Sequence, residues 1–462
     1  MNKLEVFSPF DRRKIGEVRK ITSDELENII ESSHKVFKDR KKWLTIPERI
    51  SILEKLVSLI KRDEAILAVQ IAKEGGKPLI DAKIEVSRAI DGIKIAMGSI
   101  PYVFKGEEIT MGLGSASIGK RAFTIIEPLG VALAVSAFNH PLNLLVHQAV
   151  PAIATGCPVI IKPSSQTPLT AKIFVSLVHE AGLPKEWCSL CIADREVSEK
   201  LISDKRISFL SFIGSSTVGF GFLSKIHPGT RFSFEHGGVA PAIIDKEIEN
   251  IDTVVTSLLK GSFYHAGQVC ISTQRIYVHK SLLEKFKTKF VEGAKKLKVG
   301  NPEDEKTEVG PIITIKELDR IDSWVKEAIE EGAVLLCGGE KLSETLYKPT
   351  VLLNPSENSK VTTKEVFGPV VSIYEYEDLS DVIYRANNNN FAFQTAIFSD
   401  NIHNINKLTE ELDASAVIVN EHTAFRVDHM PFAGRREAGF GIGGIEYTMK
   451  DMTAHKMIII KR

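Results

Sequence analysis

Cys270 is the residue whose type and setting most directly suggest covalent chemistry. It ends the segment Gly267-Gln268-Val269-Cys270, between a helical and a strand-like stretch, where a glycine permits a turn that faces a cleft. A thiolate attacks carbonyl carbon readily and divides a difficult reaction into two easier steps. A lone cysteine is more often a small buried side chain, so its neighbours must decide between a nucleophile and a core residue.

Glu235 and Asn139 carry groups that would complete such a site. Glu235 follows alternating aromatic residues and precedes two glycines, which predicts a desolvated carboxylate with the raised pKa of a general base. The alternative is a surface glutamate at a turn. Asn139 ends an apolar strand ahead of a proline, where its amide could donate to an oxyanion. The alternative is an asparagine that only turns the chain.

Two segments are suited to binding phosphate or ribose. The segment 214–219 follows a strand and opens a helix, so its free amides and the helix dipole could hold an anion. It is neither the usual dinucleotide fingerprint nor a P-loop. Lys162 ends another strand, where doubly wound sheets place their ligands, and could reach ribose hydroxyls. Otherwise it is a solvated lysine.

Alternating helical and strand-like segments predict an α/β protein with two doubly wound domains in series. Buried strands are predicted at 130–137 and 157–162 with a helix between them at 142–154, which is a βαβ unit. Helices are predicted across 22–62, the first capped by Ser23 and the second opened by Pro47, and again across 63–97.

Three further features concern the edges and the core. Residues 103–128 have the pattern of a hairpin, and 456–462 that of a short apolar strand. Both need a pairing partner because bare edges are a liability, and another subunit is one answer. Cys188 and Cys191 have the C-x-x-C spacing, but their apolar surroundings predict core positions on opposite faces of a strand.

Composition excludes several classes of protein. The chain has 462 residues, with 59 Lys and Arg against 59 Asp and Glu, a balance that argues against a nucleic-acid partner. No apolar run approaches the roughly 18 residues of a membrane helix, and no secretory signal is visible. Five cysteines suit a reducing compartment. We therefore expect a cytoplasmic globular protein with no membrane partner, and no residue cluster has the spacing of a metal site.

Six segments, in family order, resemble motifs of the aldehyde dehydrogenase superfamily, and the resemblance covers nearly the whole chain. They are Phe138-Asn139-His140-Pro141-Leu142, Ile161-Lys162-Pro163-Ser164-Ser165-Gln166-Thr167-Pro168, Phe212-Ile213-Gly214-Ser215-Ser216, Phe234-Glu235-His236-Gly237-Gly238, Gly267-Gln268-Val269-Cys270 and Glu365-Val366-Phe367-Gly368-Pro369. One such motif is weak, whereas six in order are specific.

The resemblance implies a division of the chain into three parts. Residues 1–109 and 129–235 would form a cofactor-binding domain and 236–442 a catalytic domain. Residues 110–128 and 443–462 would form an arm that joins subunits into a homodimer or homotetramer. The implied reaction is the oxidation of an aldehyde to a carboxylic acid with NAD or NADP and water.

The resemblance also implies a role for each motif residue. Cys270 would attack the aldehyde, Asn139 and the Cys270 amide would hold the oxyanion, and Glu235 would activate the hydrolytic water. Lys162 would bind the adenosine ribose, Ser215 the pyrophosphate, and Glu365 and Phe367 the nicotinamide half. The full set of implied cofactor residues is Phe138, Lys162, Ser165, Gly214, Ser215, Val218, Glu365 and Phe367.

The sequence departs from the family pattern at several positions. His140 and His236 replace residues that are commonly Phe and Leu, where they would either tune the site or simply pack. Ser165 replaces a glutamate found in many strictly NAD-dependent members, so NADP stays open. Ile442 and Gly443 replace a common Arg-Glu pair.

Substrate choice rests on His140 and on Arg426, which lies in a loop that borders the substrate entrance in the family. A guanidinium there could hold a carboxylate, phosphate or phosphonate. The alternative is a salt bridge with Asp428 or with another subunit. The segment resembles small-aldehyde members such as lactaldehyde and phosphonoacetaldehyde dehydrogenases. The remaining alternatives are an enzyme that transfers the acyl group to coenzyme A and a non-catalytic binding protein on the same fold.

Overall fold

The computed structural model describes residues 3–461. Its strands are β1 (Lys3–Phe7), β2 (Lys14–Arg19), β3 (Glu108–Ile109), β4 (Lys120–Pro128), β5 (Val131–Val135), β6 (Val159–Lys162), β7 (Cys188–Leu190), β8 (Ile207–Ile213), β9 (Arg231–Glu235), β10 (Ala240–Ile244), β11 (Thr273–His279), β12 (Val334–Cys337), β13 (Thr350–Leu353), β14 (Val370–Tyr376), β15 (Phe391–Ala392), β16 (Gln394–Phe398), β17 (Ala416–Val419), β18 (Arg435–Arg436), β19 (Gly439–Phe440) and β20 (Thr453–Lys461).

The α-helices lie between these strands. They are α1 (Ser23–Lys38), α2 (Ile46–Arg62), α3 (Glu64–Gly75), α4 (Leu79–Val103), α5 (Asn143–Thr155), α6 (Pro168–Glu180), α7 (Arg195–Ser203), α8 (Ser216–Phe222), α9 (Ile251–Phe263), α10 (Leu283–Lys296), α11 (Ile315–Glu330), α12 (Lys360–Thr363), α13 (Leu379–Asn387), α14 (Ile402–Glu411) and α15 (Ile445–Asp451). Within residues 3–461, no helix is both long and apolar enough to cross a membrane.

The first large sheet has six strands in the order β19-β9-β8-β5-β6-β7. The strands from β9 to β7 are parallel, and β19 is an antiparallel edge. Helices α2 to α6 pack on one face and α1 and α7 on the other. Cys188 lies in the first of these cores and Cys191 in the second, which confirms that the C-x-x-C pair is buried on opposite faces.

The second large sheet has seven strands in the order β12-β13-β14-β11-β10-β16-β17. All of them are parallel except β12. Helices α9 to α11 cover one face, and α13 and α14 pack against the other. Two doubly wound α/β domains in series are therefore confirmed.

Helix starts follow side-chain capping more closely than the sequence prediction did. The cap of α1 is Thr22, not Ser23, because the Thr22 hydroxyl accepts from the Glu25 amide and the Glu25 carboxylate accepts from the Thr22 amide. Pro47 lies in the first turn of α2, as predicted. The predicted end of the third helical region at residue 97 is wrong, since α4 continues to Val103, whose side chain packs into the core.

The two segments predicted to form the arm pair with each other within one chain. Strands β4 and β20 are antiparallel over nine residue pairs, and β3 adds a short third strand. The hairpin and the C-terminal strand therefore pair with each other, and the outer edge of β20 exposes Met457, Ile459 and Ile460. The domain ranges stay a prediction, although β19, from within 236–442, pairs with β9 of the first sheet.

The buried carboxylate of Glu85 connects α4 to the start of α5. Lys77 and Glu85 are both fully buried and in direct contact. Glu85 Oε1 also accepts hydrogen bonds from the backbone amides of Leu142 at 2.9 Å and Asn143 at 3.1 Å. Because these amides directly follow the turn of Asn139 and His140, Glu85 sets the position of that turn.

We expect Glu85→Ala to lower the free energy of unfolding by about 3–5 kcal/mol, since it leaves a buried ammonium without its counter-charge. Urea unfolding followed by circular dichroism measures the change. The control is Asp91→Ala, which breaks an exposed pair with Lys94 at 2.8 Å and is worth at most about 1 kcal/mol. Equal losses in the two variants would contradict this role of Glu85.

Candidate active site

The site forms where the first sheet changes its winding direction. Strand β5 lies between β6 and β8, and the chain leaves it toward opposite edges of the sheet. Ligands of doubly wound sheets bind at the carboxyl ends of such strands. Asn139 lies just beyond β5, Lys162 ends β6, and Gly214 and Ser215 follow β8. The structure thus brings four sequence-predicted positions to one edge.

The turn before Cys270 depends on Gly267. Its φ is +69°, and a Cβ there would overlap the Gly368 carbonyl, so a glycine is required. Gln268 is fully buried and fastens the turn, because its Nε2 donates to Pro311 O at 3.1 Å and its Oε1 accepts from Ile313 N at 3.0 Å. Cys270 is held half-buried at the end of this turn.

The side chain of Asn139 is fixed directly to the cysteine loop. Its Nδ2 donates to the carbonyl of Gln268 at 2.9 Å. A side-chain amide carries two N–H donors, so one donor positions the side chain and the other is available to an oxygen near Cys270. This geometry suits the stabilisation of an oxyanion.

Glu235 ends β9 opposite Gly439 and packs against Gly443. A Cβ at Gly443 would overlap the Glu235 carboxylate. The departure from the family pattern at this position therefore makes room for the carboxylate. Burial raises the pKa of Glu235, and the nearby Arg426 opposes that rise, which suits a general base.

Glu365 rests on the two glycines that follow Glu235. A Cβ at Gly237 would overlap its carboxylate, and the Gly238 amide donates to its Oε1 at 3.3 Å. Burial raises the pKa of Glu365 to about 8. The rings of Phe367 and Phe138 meet edge-on at 5.8 Å, so these predicted cofactor residues are neighbours.

Arg426 dominates the electrostatics around the thiol. Burial raises the pKa of Cys270 to about 12, and the positive charge of Arg426 opposes part of that rise. The guanidinium stacks on the Phe432 ring, 3.5 Å from its centroid. Asp428 forms its ion pair with Arg88 at 2.8 Å, so the predicted alternative of an Arg426–Asp428 salt bridge does not form here.

Two histidines flank the catalytic candidates. His140 is buried with its Nε2 3.4 Å from the Tyr264 hydroxyl, and burial holds its pKa well below the usual range. His236 packs against the Phe220 ring at 4.8 Å, and its Nδ1 donates to Glu437 O at 3.0 Å. Burial also lowers its pKa, so both side chains are neutral at physiological pH.

The predicted cofactor groove fits an anionic, hydroxyl-rich ligand. Burial lowers the pKa of Lys162, so a hydroxyl or anion bound beside it would offset the cost of burying the ammonium. Ser165 and Ser215 are exposed to receive polar groups. Val218 presents an apolar side chain that is 47% exposed on α8. Among residues 3–461, no group of three or more potential metal ligands is found.

The sequence reasoning missed three residues that shape the site. Gln268 was visible within the Gly-Gln-Val-Cys segment but received no role. Gly443 was noted only as a departure from the family. His147 carried no signal, because its Nδ1 meets Arg426 across 279 positions of sequence, at 3.3 Å.

Comparisons with known proteins identify the family of the chain. Residues 1–458 match the aldehyde dehydrogenase family. A 3-sulfolactaldehyde dehydrogenase of Priestia aryabhattai is 35% identical, over 99% of this chain and 95% of its own length. A lactaldehyde dehydrogenase of Methanocaldococcus jannaschii is also 35% identical, over 99% and 97%.

A solved structure gives the same result for the fold. The NADP complex of a glyceraldehyde-3-phosphate dehydrogenase from Methanocaldococcus jannaschii superposes with a TM-score of 0.94 at 34% identity. The superposition covers 99% of each chain. The chain therefore belongs to the aldehyde dehydrogenase family.

Proposed function

We propose that this protein oxidises a small anionic aldehyde to its carboxylic acid with NAD or NADP and water. The observation that carries the proposal is the convergence of an amide donor, a carboxyl group of raised pKa and a guanidinium around one thiol. These groups are Cys270, Asn139, Glu235 and Arg426. Each has a distinct task in hydrolytic aldehyde oxidation.

Cys270 is the proposed nucleophile. Its thiolate attacks the aldehyde carbon and forms a thiohemiacetal, and the free amide donor of Asn139, with the Cys270 N–H, stabilises the oxyanion. Burial disfavours the thiolate, and Arg426 offsets part of that cost. Loss of a hydride from the thiohemiacetal leaves a thioester on Cys270.

Glu235 is the proposed base for the second half of the reaction. Its carboxylate takes a proton from water, which attacks the thioester and releases the acid with a free thiol. The raised pKa of Glu235 improves its strength as a base near neutral pH. This carboxylate also favours hydrolysis over transfer to coenzyme A, because acylating members of the family generally lack it.

NAD or NADP, when bound, supplies the hydride acceptor. Lys162 and Ser165 would hold the adenosine ribose, and Gly214, Ser215 and Val218 would line the pyrophosphate. Glu365, Phe367 and Phe138 would hold the nicotinamide half. Ser165 is exposed and uncharged, so nothing at that position repels a 2′-phosphate, and we propose that NADP is accepted as well as NAD.

We expect Cys270→Ala to abolish aldehyde oxidation while leaving cofactor binding intact, because it removes the nucleophile and no cofactor contact. Reduced-cofactor absorbance measures the first and fluorescence titration with NADP⁺ the second. Cys337→Ala is the matched control, since Cys337 is a buried thiol on β12, in the core of the second sheet and away from the site. Turnover retained by Cys270→Ala would remove the proposed nucleophile.

Glu235→Gln separates the two half-reactions. We expect a burst of reduced cofactor equal to the enzyme concentration, followed by steady turnover slowed by about 10²–10⁴-fold, the usual contribution of a general base. Rapid mixing with absorbance detection resolves the burst. Unchanged steady turnover would show that another group activates the water.

Arg426 is the proposed anchor of the substrate's negative charge, and His140 is proposed to line the same pocket. We expect Arg426→Ala to raise the KM for 3-sulfolactaldehyde by about 10- to 100-fold, the worth of hydrogen bonds to a charged group. Lactaldehyde, which lacks the sulfonate, is the matched neutral substrate, and its KM should rise less. Arg195→Ala, an exposed arginine on α7, is the control variant. Equal changes for both aldehydes would return Arg426 to a structural role.

We also propose that the protein forms a homodimer or homotetramer through its arm. Support comes from the open edge of β20, where Ile459 is 53% exposed beside other apolar side chains, since such edges invite pairing. Ile459→Lys should shift the mass measured by light scattering toward the monomer, whereas Ile402→Lys, on an exposed helix start, should not. A monomeric wild-type protein would contradict the proposal.

The proposed compartment is the cytoplasm. All five cysteines are free in the described chain, and four of them are buried, which suits a reducing environment. Cell fractionation with an antibody against the protein tests this, and recovery from an exported fraction would contradict it.

A further inference from the structure

The guanidinium of Arg426 is held in place by neighbouring side chains. Its Nη2 lies 3.3 Å from Nδ1 of His147, a buried residue of α5. Its Nε is buried and has no hydrogen-bond partner among residues 3–461. The guanidinium is therefore held from one side by a histidine and from below by the Phe432 ring, with donors left over for a ligand.

The chemistry of its neighbours determines which proton His147 carries. Nε2 of His147 lies 2.8 Å from Oδ1 of Asp428, and a carboxylate only accepts, so Nε2–H donates. Arginine only donates, so Nδ1 must accept from Arg426. Burial, with Arg426 beside it, lowers the pKa of His147 to about 4. The neutral ring with Nε2 protonated is the form that satisfies both neighbours.

Asp428 is itself immobilised from two helices. Arg88 on α4 donates to both of its oxygens, at 3.0 and 2.8 Å, and Asn143 Nδ2 on α5 donates at 3.1 Å. Burial would raise the pKa of Asp428, but the His147 and Arg88 hydrogen bonds hold it well below its usual value. Its charge is thus matched by Arg88.

The charges of this cluster leave one cation without a partner. Asp428 and Arg88 cancel, and His147 is neutral. Arg426 is then the only group of this cluster whose charge is not matched within the cluster. Burial lowers its pKa, and Glu235, which lies outside the cluster, opposes that lowering. A neutral histidine is a suitable support for such a group, because it orients the guanidinium without consuming its charge.

We propose that His147 is a positioning residue that aims Arg426 at the anionic group of the substrate, and that Asp428 and Arg88 hold His147 in the required tautomer. This inference rests on the proposed function, in which Arg426 binds that anion. It assigns selection of the substrate's charge to a relay that spans α4, α5 and the loop of Arg426.

The test compares His147→Phe with His147→Gln on two substrates, 3-sulfolactaldehyde and lactaldehyde. Phenylalanine keeps an aromatic ring and removes both hydrogen bonds, so KM for the sulfonate should rise by about 10-fold while KM for lactaldehyde stays within about twofold. Glutamine offers an acceptor and a donor in one side chain and should restore most of the preference. His403→Phe, on the surface helix α14, is the control.

A variant made in the Arg426→Ala background separates positioning from a general structural role. If His147 acts through Arg426, His147→Phe should add no further loss of preference there, because coupled residues are not additive. A second loss of the same size would overturn the proposal. So would an equal change in kcat/KM for both aldehydes, because the preference for the sulfonate would then be unchanged.

The outcomes also distinguish the role of His147 from the proposed role of Arg426 as the anchor of the substrate's negative charge. Preference for the sulfonate that survives Arg426→Ala would reject Arg426 as the anchor. Preference lost in Arg426→Ala but kept in His147→Phe would reject only His147. If His147→Phe does not fold, a His147→Asn variant replaces it, since the shorter amide cannot span both partners, and the same loss is expected.

Discussion

The fully buried carboxylate of Glu85 is the contact on which the geometry of the site depends. It neutralises Lys77 and accepts from the first amides of α5, directly after the turn that carries Asn139. Arg88 lies one turn further along α4 and binds Asp428. Because residues three apart share a helix face, one face of α4 sets both the amide donor near the thiol and the loop that bears Arg426.

The site works with charges that burial has displaced from their ordinary behaviour. Burial raises the pKa values of Glu235, Glu365 and Cys270 and lowers that of Arg426. Such displacements cluster at functional sites, since a protein must shift its acids and bases to use them near neutral pH. Arg426 links the proposed binding of an anionic substrate to catalysis, because it favours the charged forms of both Cys270 and Glu235.

Two glycines allow the carboxylates of Glu365 and Glu235 to lie directly against the backbone. Glu365 lies on Gly237, and Glu235 lies on Gly443, each where a Cβ would overlap an oxygen. The substitution of a common family glutamate by Gly443 therefore changes the packing of the proposed base. Glu365 is thereby held against the backbone and accepts a hydrogen bond from the Gly238 amide.

Local pattern determined a large part of this protein from the sequence alone. The alternation of buried strands and amphipathic helices predicted two doubly wound domains, because periodicity acts over a few positions. The resemblance of six motifs to the aldehyde dehydrogenase family then assigned Cys270, Glu235 and Asn139 to one site. The sequence analysis did not predict helices α13 and α14, although Asp378 and Asn401 cap their N-termini. Only the tertiary structure decided that β4 pairs with β20, that Asp428 binds Arg88 across 340 positions, and that His147 supports Arg426. The physical reason is that these contacts join side chains whose neighbours in sequence carry no record of the partner, so they exist only once the sheets and helices have packed.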